Sequence, residues 1–284
     1  MHRSSRLTAS AHLTSLSGIL RSVLRVSSAS RKSLRVLHGP CVCVDTSFQR
    51  LELTLKRPLL VPDELHRNHP KVHARGPEHT GSVLMELVVE RLGLKDLCDV
   101  DVLDVGCGVR FTQALINRDI PIKSYTGVDV YRPLIDYLRR EIDDPRFSFA
   151  HWDAHNAMYN PTGTKLTSES SLPIAGTFDV IWLFSVFTHL EPADAAAMLT
   201  ILRRHVRPGG HLFFSAFLDD AVDSFEDRIP EHPLENAYYS ERSLRALIVA
   251  KGWSVASLHP KSPEQFIQHY FICGPTPPDA TTSS

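Results

Sequence analysis

Asp101-Val-Leu-Asp-Val-Gly-Cys-Gly108 runs an apolar strand core straight into a glycine-rich turn. Gly106 and Gly108 let the backbone turn sharply and approach a ligand with no Cβ in the way. An acidic residue, Asp104, stands two positions before the first glycine. A carboxylate at the carboxyl end of a strand suits a cationic or hydroxyl-bearing ligand and repels a pyrophosphate. Alone, the octapeptide is equally a tight turn. The residues outward of it decide.

Downstream, apolar strands alternate with helices. The pattern predicts strands at 101–105, 124–129, 147–151, 178–184 and 211–217, with helices at about 109–118, 131–142 and 192–206 between them. Upstream, Leu84, Leu87, Val88 and Leu92 share one face of a helix over 81–93, ended by Gly93. Such alternation with near-continuous apolar strands means an α/β fold, a parallel sheet covered on both faces. Arg207-Pro-Gly-Gly210 is expected to break the chain before strand 211–217. A polar stretch at 218–239, a helix at 240–251 and strands at about 253–258 and 267–273 complete the domain. The polar insertion 156–177 reads as partly irregular, and residues 61–80, with three prolines and four histidines, as a loop or lid.

Length bounds this to one sizeable domain, over 81–275, plus extensions. Residues 1–44 hold seven Lys or Arg and no acid, so the other 240 residues carry 24 basic against 32 acidic, a net of −8. An acidic body argues against a nucleic-acid surface spread over the domain. The five cysteines show no metal-ligand or disulfide spacing, so no metal is expected and a reducing, cytoplasmic setting is the default. No apolar run reaches the ~18 residues that span a bilayer. The basic, Ser-rich residues 1–60 read as an extension that does not pack. With Leu13, Leu16, Leu20 and Leu24 at helical spacing, its first 44 residues also fit an organelle transit peptide, which would make the destination mitochondrial. Residues 276–284 read as a disordered tail.

In an open α/β sheet the ligand lies at the carboxyl ends of the strands, where strand order reverses. Asp104 with Gly106-Cys107-Gly108 closes the first strand. Asp129 closes the second, placed to accept from both hydroxyls of a ribose. Asp153, in His151-Trp-Asp-Ala154, follows the third and can accept from an adenine amino group. Phe184-Ser185 ends the fourth, where it can flank a methionyl chain or sulfonium. Each alone has a bland reading, a turn or a helix N-cap; in order and at βα spacing they form a cofactor site. A dinucleotide fingerprint would need a third glycine at 111, where this chain has Phe111. That residue and the placement of Asp104 favour a sulfonium cofactor, S-adenosyl-L-methionine, over a nicotinamide.

From about Gly81 to Cys273 the chain resembles the class I S-adenosylmethionine-dependent methyltransferases, in particular the bacterial small-molecule type. The resemblance rests on Val102-Leu-Asp-Val-Gly-Cys-Gly108, Tyr125-Thr-Gly-Val-Asp129, Phe149-Ala-His-Trp-Asp153, Phe178-Asp-Val-Ile181 and Ser185-Val-Phe-Thr-His-Leu190. Arg207-Pro-Gly-Gly210, the Tyr239–Leu247 segment and Gly252-Trp253 add to it. It implies a Rossmann-like doubly wound sheet of seven strands, mostly parallel with an antiparallel last strand. By position it also implies that Asp104 to Gly108 hold the methionyl part, Asp129 the ribose and Asp153, next to Ala154, the adenine.

Transfer from a sulfonium asks the protein to position a nucleophile and exclude water, and an oxygen nucleophile also needs a base. His189 is the candidate base, the alternative being that it braces the cofactor loop; His79, His151 and His155 are further candidates. No Asn-Pro-Pro-Tyr-type segment follows the fourth strand, which lowers the case for methylation of nucleic-acid amines. The expectation is a small-molecule acceptor, methylated at oxygen in preference to nitrogen or carbon, with no nucleic-acid or membrane partner and the oligomeric state open. A non-catalytic cofactor-binding partner subunit is the alternative. Substrate choice is expected from 61–80 and from 218–239, with Phe225, Tyr238 and Tyr239; in the second segment Asp219, Asp220, Asp223, Glu226 and Asp227 read either as a solvated loop or as a rim that disfavours anions.

Overall fold

The computed structural model describes residues 57–66, 75–229, 231–232, 234–261 and 267–277. Residues 1–56 of the basic extension, 67–74 of the lid segment and 278–284 of the tail lie outside the described residues. The elements run α1 (Pro77–Arg91), β1 (Leu97–Val105), α2 (Arg110–Asn117), β2 (Ile122–Asp129), α3 (Arg132–Glu141), β3 (Phe147–His151), β4 (Phe178–Leu183), α4 (Pro192–Arg203), β5 (Val206–Leu218), β6 (Phe225–Asp227), β7 (Ala237–Tyr239), α5 (Glu241–Ala250), β8 (Trp253–His259) and β9 (His269–Pro275).

The main sheet is ordered β3-β2-β1-β4-β5-β9-β8. All its strands are parallel except β9, which is antiparallel to both β5 and β8. This is the expected doubly wound sheet. Alternation along the strands divides the core between its two faces. Val102, Val180, Trp182 and Phe213 face α1, α2 and α3 with Val88, Phe111 and Leu138. Leu103, Ile181, Leu183 and Phe214 face α4 and α5 with Leu199, Leu202 and Leu244. Strand order reverses between β1 and β4, so a crevice opens above their carboxyl ends.

Local chemistry sets the element ends. Gly93 (φ +64°) ends α1 in a Schellman motif, with Leu94 N donating to Val89 O at 2.9 Å and Gly93 N to Glu90 O at 3.1 Å. Ser240 caps α5, its Oγ accepting from Ser243 N at 3.2 Å. Upstream of α1, the Leu59 backbone is clamped from outside: Asn117 Oδ1 accepts its N–H at 2.7 Å and Gln113 Nε2 donates to its carbonyl at 3.2 Å.

Two expectations change. Arg207–Gly210 does not precede a strand but lies within β5. Phe178 pairs with Val206 and Val180 with His211, so the four residues form a bulge that the two glycines make possible. The stretch 218–239 is not plain loop either. It contains the β6–β7 hairpin, and β7 extends the end of β5 through Phe217 and Leu218.

Gly127 on β2 sits opposite Asp104. A Cβ there would lie 2.8 Å from Phe149 Cδ1 and 3.0 Å from Cys107 Sγ, both side chains buried. Gly127→Ala is therefore expected to cost about 1–3 kcal/mol of stability by overpacking. Urea denaturation checks this, and an unchanged midpoint would contradict the packing described.

Candidate active site

The crevice at the switch point is a cleft of about 1110 Å³, counting its open mouth. Gly106, Cys107, Gly108, Asp129, Ala154, Phe184, Ser185 and His189 all line it. Four strand ends separated by tens of residues thus converge as the spacing predicts. Gly106 (φ +73°) and Gly108 (φ +49°) make the turn after β1, and a Cβ on Gly106 would meet Val186 Cγ2 at 2.5 Å. The turn is closed by Gly106 N and Cys107 N donating to Val128 O at 2.8 and 3.1 Å.

Asp129 holds the turn from the neighbouring strand. Its Oδ2 accepts from Gly108 N at 3.0 Å and its Oδ1 from Tyr131 N at 2.9 Å. Burial nevertheless raises its pKa, against the opposing pull of these backbone N–H groups. Each oxygen keeps a second lone pair, which a vicinal diol can use.

Asp104 and Asp153 stand elsewhere than the strand-end argument puts them. Asp104 alternates with Val102 and so points into the layer under α2, 1% exposed and behind the cleft wall. Tyr125 Oη donates to its Oδ2 at 2.6 Å, while Oδ1 has no hydrogen-bond partner among the described residues. Burial pushes its pKa up to about 7. Asp153 is exposed, with its Oδ1 accepting from Asn160 Nδ2 at 3.0 Å, and the wall beside it is Trp152 and Ala154.

The Asp104 shift has a sign. A carboxyl whose folded pKa lies above its unfolded value near 3.8 keeps a proton that the unfolded chain releases, so its contribution falls as pH rises from about 4 through about 7. Asp104→Asn, which cannot ionise, is expected to lose less thermal stability than the parent between pH 5 and pH 8. Parallel curves for the two proteins would show that Asp104 does not titrate there.

His189 lies in a short 3-10 turn after β4. Its Nδ1 is 2.8 Å from the carbonyl of Leu234, which makes Nδ1 the protonated nitrogen and leaves the Nε2 lone pair available. Burial lowers its pKa, so the ring is neutral at pH 7. Of the other histidines, His155 lines the cleft, His151 Nε2 is 3.2 Å from Val130 O, and His79 is exposed on α1 away from the cleft.

Several participants carried no sequence signal. Asn156, Tyr159 and Leu166 bring the polar insertion over the cleft, and Arg110 and Tyr131 line it. Ser185 has the left-handed φ of +58°, held by Ser185 N donating to Ser215 Oγ at 2.8 Å and Gln268 Nε2 donating to Ser185 Oγ at 2.9 Å. Three of the seven acids of 218–239 are held internally. Arg228 binds Asp219 and Glu226 and stacks over Tyr238 at 3.7 Å, while Asp227 accepts from Leu234 N at 2.8 Å. Phe225 packs on Tyr239 and Tyr238 on Phe217. This segment reaches the cleft through Leu234 and its bond to His189.

A family model described as a methyltransferase domain matches residues 57–258. The chain is 25% identical over 200 residues to phthiotriol/phenolphthiotriol dimycocerosates methyltransferase 1 of Mycobacterium ulcerans, across 70% of this chain and 60% of that protein. It is 24% identical over 179 residues to the malonyl-acyl-carrier-protein O-methyltransferase of Acetivibrio thermocellus, across 54% of this chain and 63% of the relative. The match thus spans under two thirds of each of these relatives. In fold it resembles a chain from the complex between the Haloferax volcanii Trm112 methyltransferase activator and a methyltransferase. The TM-score is 0.53 at 15% identity, over 73% of this chain and 94% of that one.

Proposed function

This chain belongs to the methyltransferase domain family, and we propose that it transfers a methyl group from S-adenosyl-L-methionine to an oxygen of a small-molecule acceptor. The observation that carries this reading is the convergence of the Gly106–Gly108 turn, the Asp129 carboxylate and the Phe184-Ser185 strand end on one cleft. Asp129 would hold the ribose hydroxyls, Trp152 and Ala154 the adenine, and the Gly106–Gly108 turn with Phe184 and Ser185 the methionyl part. A turn that a Cβ on Gly106 would obstruct fits a ligand pressed against backbone. When bound, the cofactor supplies a methyl group already activated by its sulfonium.

The protein's own tasks are then positioning, desolvation and proton removal. His189 Nε2 would take the acceptor hydroxyl's proton, with the Leu234 carbonyl stabilising the resulting imidazolium through Nδ1–H. Phe184, Leu190 and Met198 keep the wall around the reacting centre apolar. Support for oxygen comes from this base and from the O-methyltransferase relative.

The test is transfer of tritiated methyl from the labelled cofactor to fractions of a source-organism extract. The expected result is label in a small organic-soluble or anionic fraction that depends on the intact protein. Cofactor binding with no labelled acceptor, together with a stable complex with an active homologue, would instead favour a non-catalytic partner subunit. Competition by a nicotinamide dinucleotide for the same cleft would contradict the cofactor assignment.

A further inference from the structure

The β6–β7 hairpin grips the turn that carries His189 at two consecutive residues. Tyr239 of β7 is buried, and its Oη donates to the Leu190 carbonyl at 2.6 Å. Phe187, at the start of the same turn, stacks on Phe214 of β5 with ring centroids 4.2 Å apart. These contacts fix the backbone beneath His189 and leave the torsions of its ring to be set. The Tyr159 ring meets the imidazole edge-on, with centroids 6.5 Å apart. The contact that tells the two ring nitrogens apart is the one from Nδ1 to the Leu234 carbonyl at 2.8 Å.

That carbonyl belongs to a residue in a rare conformation. Leu234 has a left-handed φ of +61°. A bulky residue seldom adopts this region and keeps it only where its surroundings hold it there. The holding group is Asp227, which closes β6 and stands opposite Ala237 across the hairpin. Its Oδ2 accepts from Leu234 N at 2.8 Å, and its Oδ1 lies 3.5 Å from Ile229 N. Both backbone polar groups of Leu234 are thus engaged, the N–H by Asp227 and the carbonyl by His189. The preceding acid, Glu226, is directed elsewhere and accepts from Arg228 Nε at 3.0 Å.

We propose that Asp227 is the positioning residue of His189: it holds the Leu234 backbone so that the carbonyl accepts from Nδ1–H and Nε2 keeps the lone pair. This rests on the reading of His189 as the base. A histidine can take a proton at one defined nitrogen only when another group fixes which nitrogen is already protonated. An unheld imidazole favours the opposite tautomer, with the proton on Nε2.

The test is the tautomer of His189, read by long-range nitrogen–proton NMR correlation on the full chain with isotope-labelled histidine. The signal is assigned by its loss in His189→Ala. Burial lowers the His189 pKa, so at about pH 8 the ring is neutral and its two nitrogens are distinct. The parent is expected to show a protonated Nδ1 and a bare Nε2. Asp227→Ala should shift the ratio of the two tautomers at least about fivefold toward Nε2–H, the worth of one hydrogen bond. Asp227→Asn keeps an acceptor oxygen and should shift it by about twofold; it carries the test if the alanine variant does not fold. Glu226→Gln removes the ion pair at the adjacent residue and should leave the ratio as in the parent. A parent-like ratio in the Asp227 variants would overturn the proposal. So would an equal shift in Glu226→Gln, which would reduce the effect to hairpin stability. Undiminished methyl transfer by His189→Ala, with the tautomer still governed by Asp227, would instead sink the base assignment beneath it.

Discussion

Asp129→Ala is expected to weaken cofactor binding by about 10²–10⁴-fold. Two hydrogen bonds from ribose hydroxyls to a half-buried carboxylate, each worth about 1.5–3 kcal/mol, give that range. Part of the loss would arrive indirectly, because the same carboxylate holds Gly108 N and Tyr131 N and so shapes the turn. Asp129→Asn separates the two contributions. It keeps one acceptor oxygen and the volume, and should fall between alanine and the parent. Calorimetric titration with S-adenosylhomocysteine reads the effect, with circular dichroism to confirm that each variant is folded. Affinity unchanged in the alanine variant would remove Asp129 from the site.

His189→Ala should lower kcat by about 10²–10³-fold while leaving cofactor affinity nearly intact, the pattern of a lost general base. The pH profile adds a reading that a purely structural histidine would not give. Burial depresses the His189 pKa, so the neutral, proton-accepting ring persists below pH 6.5. Activity should therefore be flat near pH 7 and fall only at an inflection below 6.5, and that inflection should vanish in the variant. The sign for stability agrees. The unfolded chain binds the proton more readily, so the His189 contribution is present above pH 6.5 and is lost as pH falls below it. A variant that loses cofactor affinity and kcat together would indicate that His189 braces the cofactor loop.

How far the sequence led depends on how local each signal was. The order of strands followed from apolar runs of the right length, and the cleft from four strand ends whose residues are suited to one ligand. Asp104 shows where that argument stops short. Period-two alternation with Val102 already aims it under α2, but its partner Tyr125 lies 21 residues on, in another strand. Asp153 was read as a strand-end ligand, and the insertion that follows supplies Asn160 to bind it. The Leu234 carbonyl that orients His189 comes from 45 residues downstream, in a stretch with no periodicity. Five acids between 219 and 227 looked like a charged rim because the one arginine that gathers two of them, Arg228, gives no pattern by itself.

The most direct measurement is calorimetric titration of the folded chain with S-adenosyl-L-methionine, at pH 7.5 and without any acceptor. Saturable binding of one equivalent, displaced by S-adenosylhomocysteine and not by a nicotinamide dinucleotide, is the predicted result. No heat of binding from a folded protein would contradict the account at its centre.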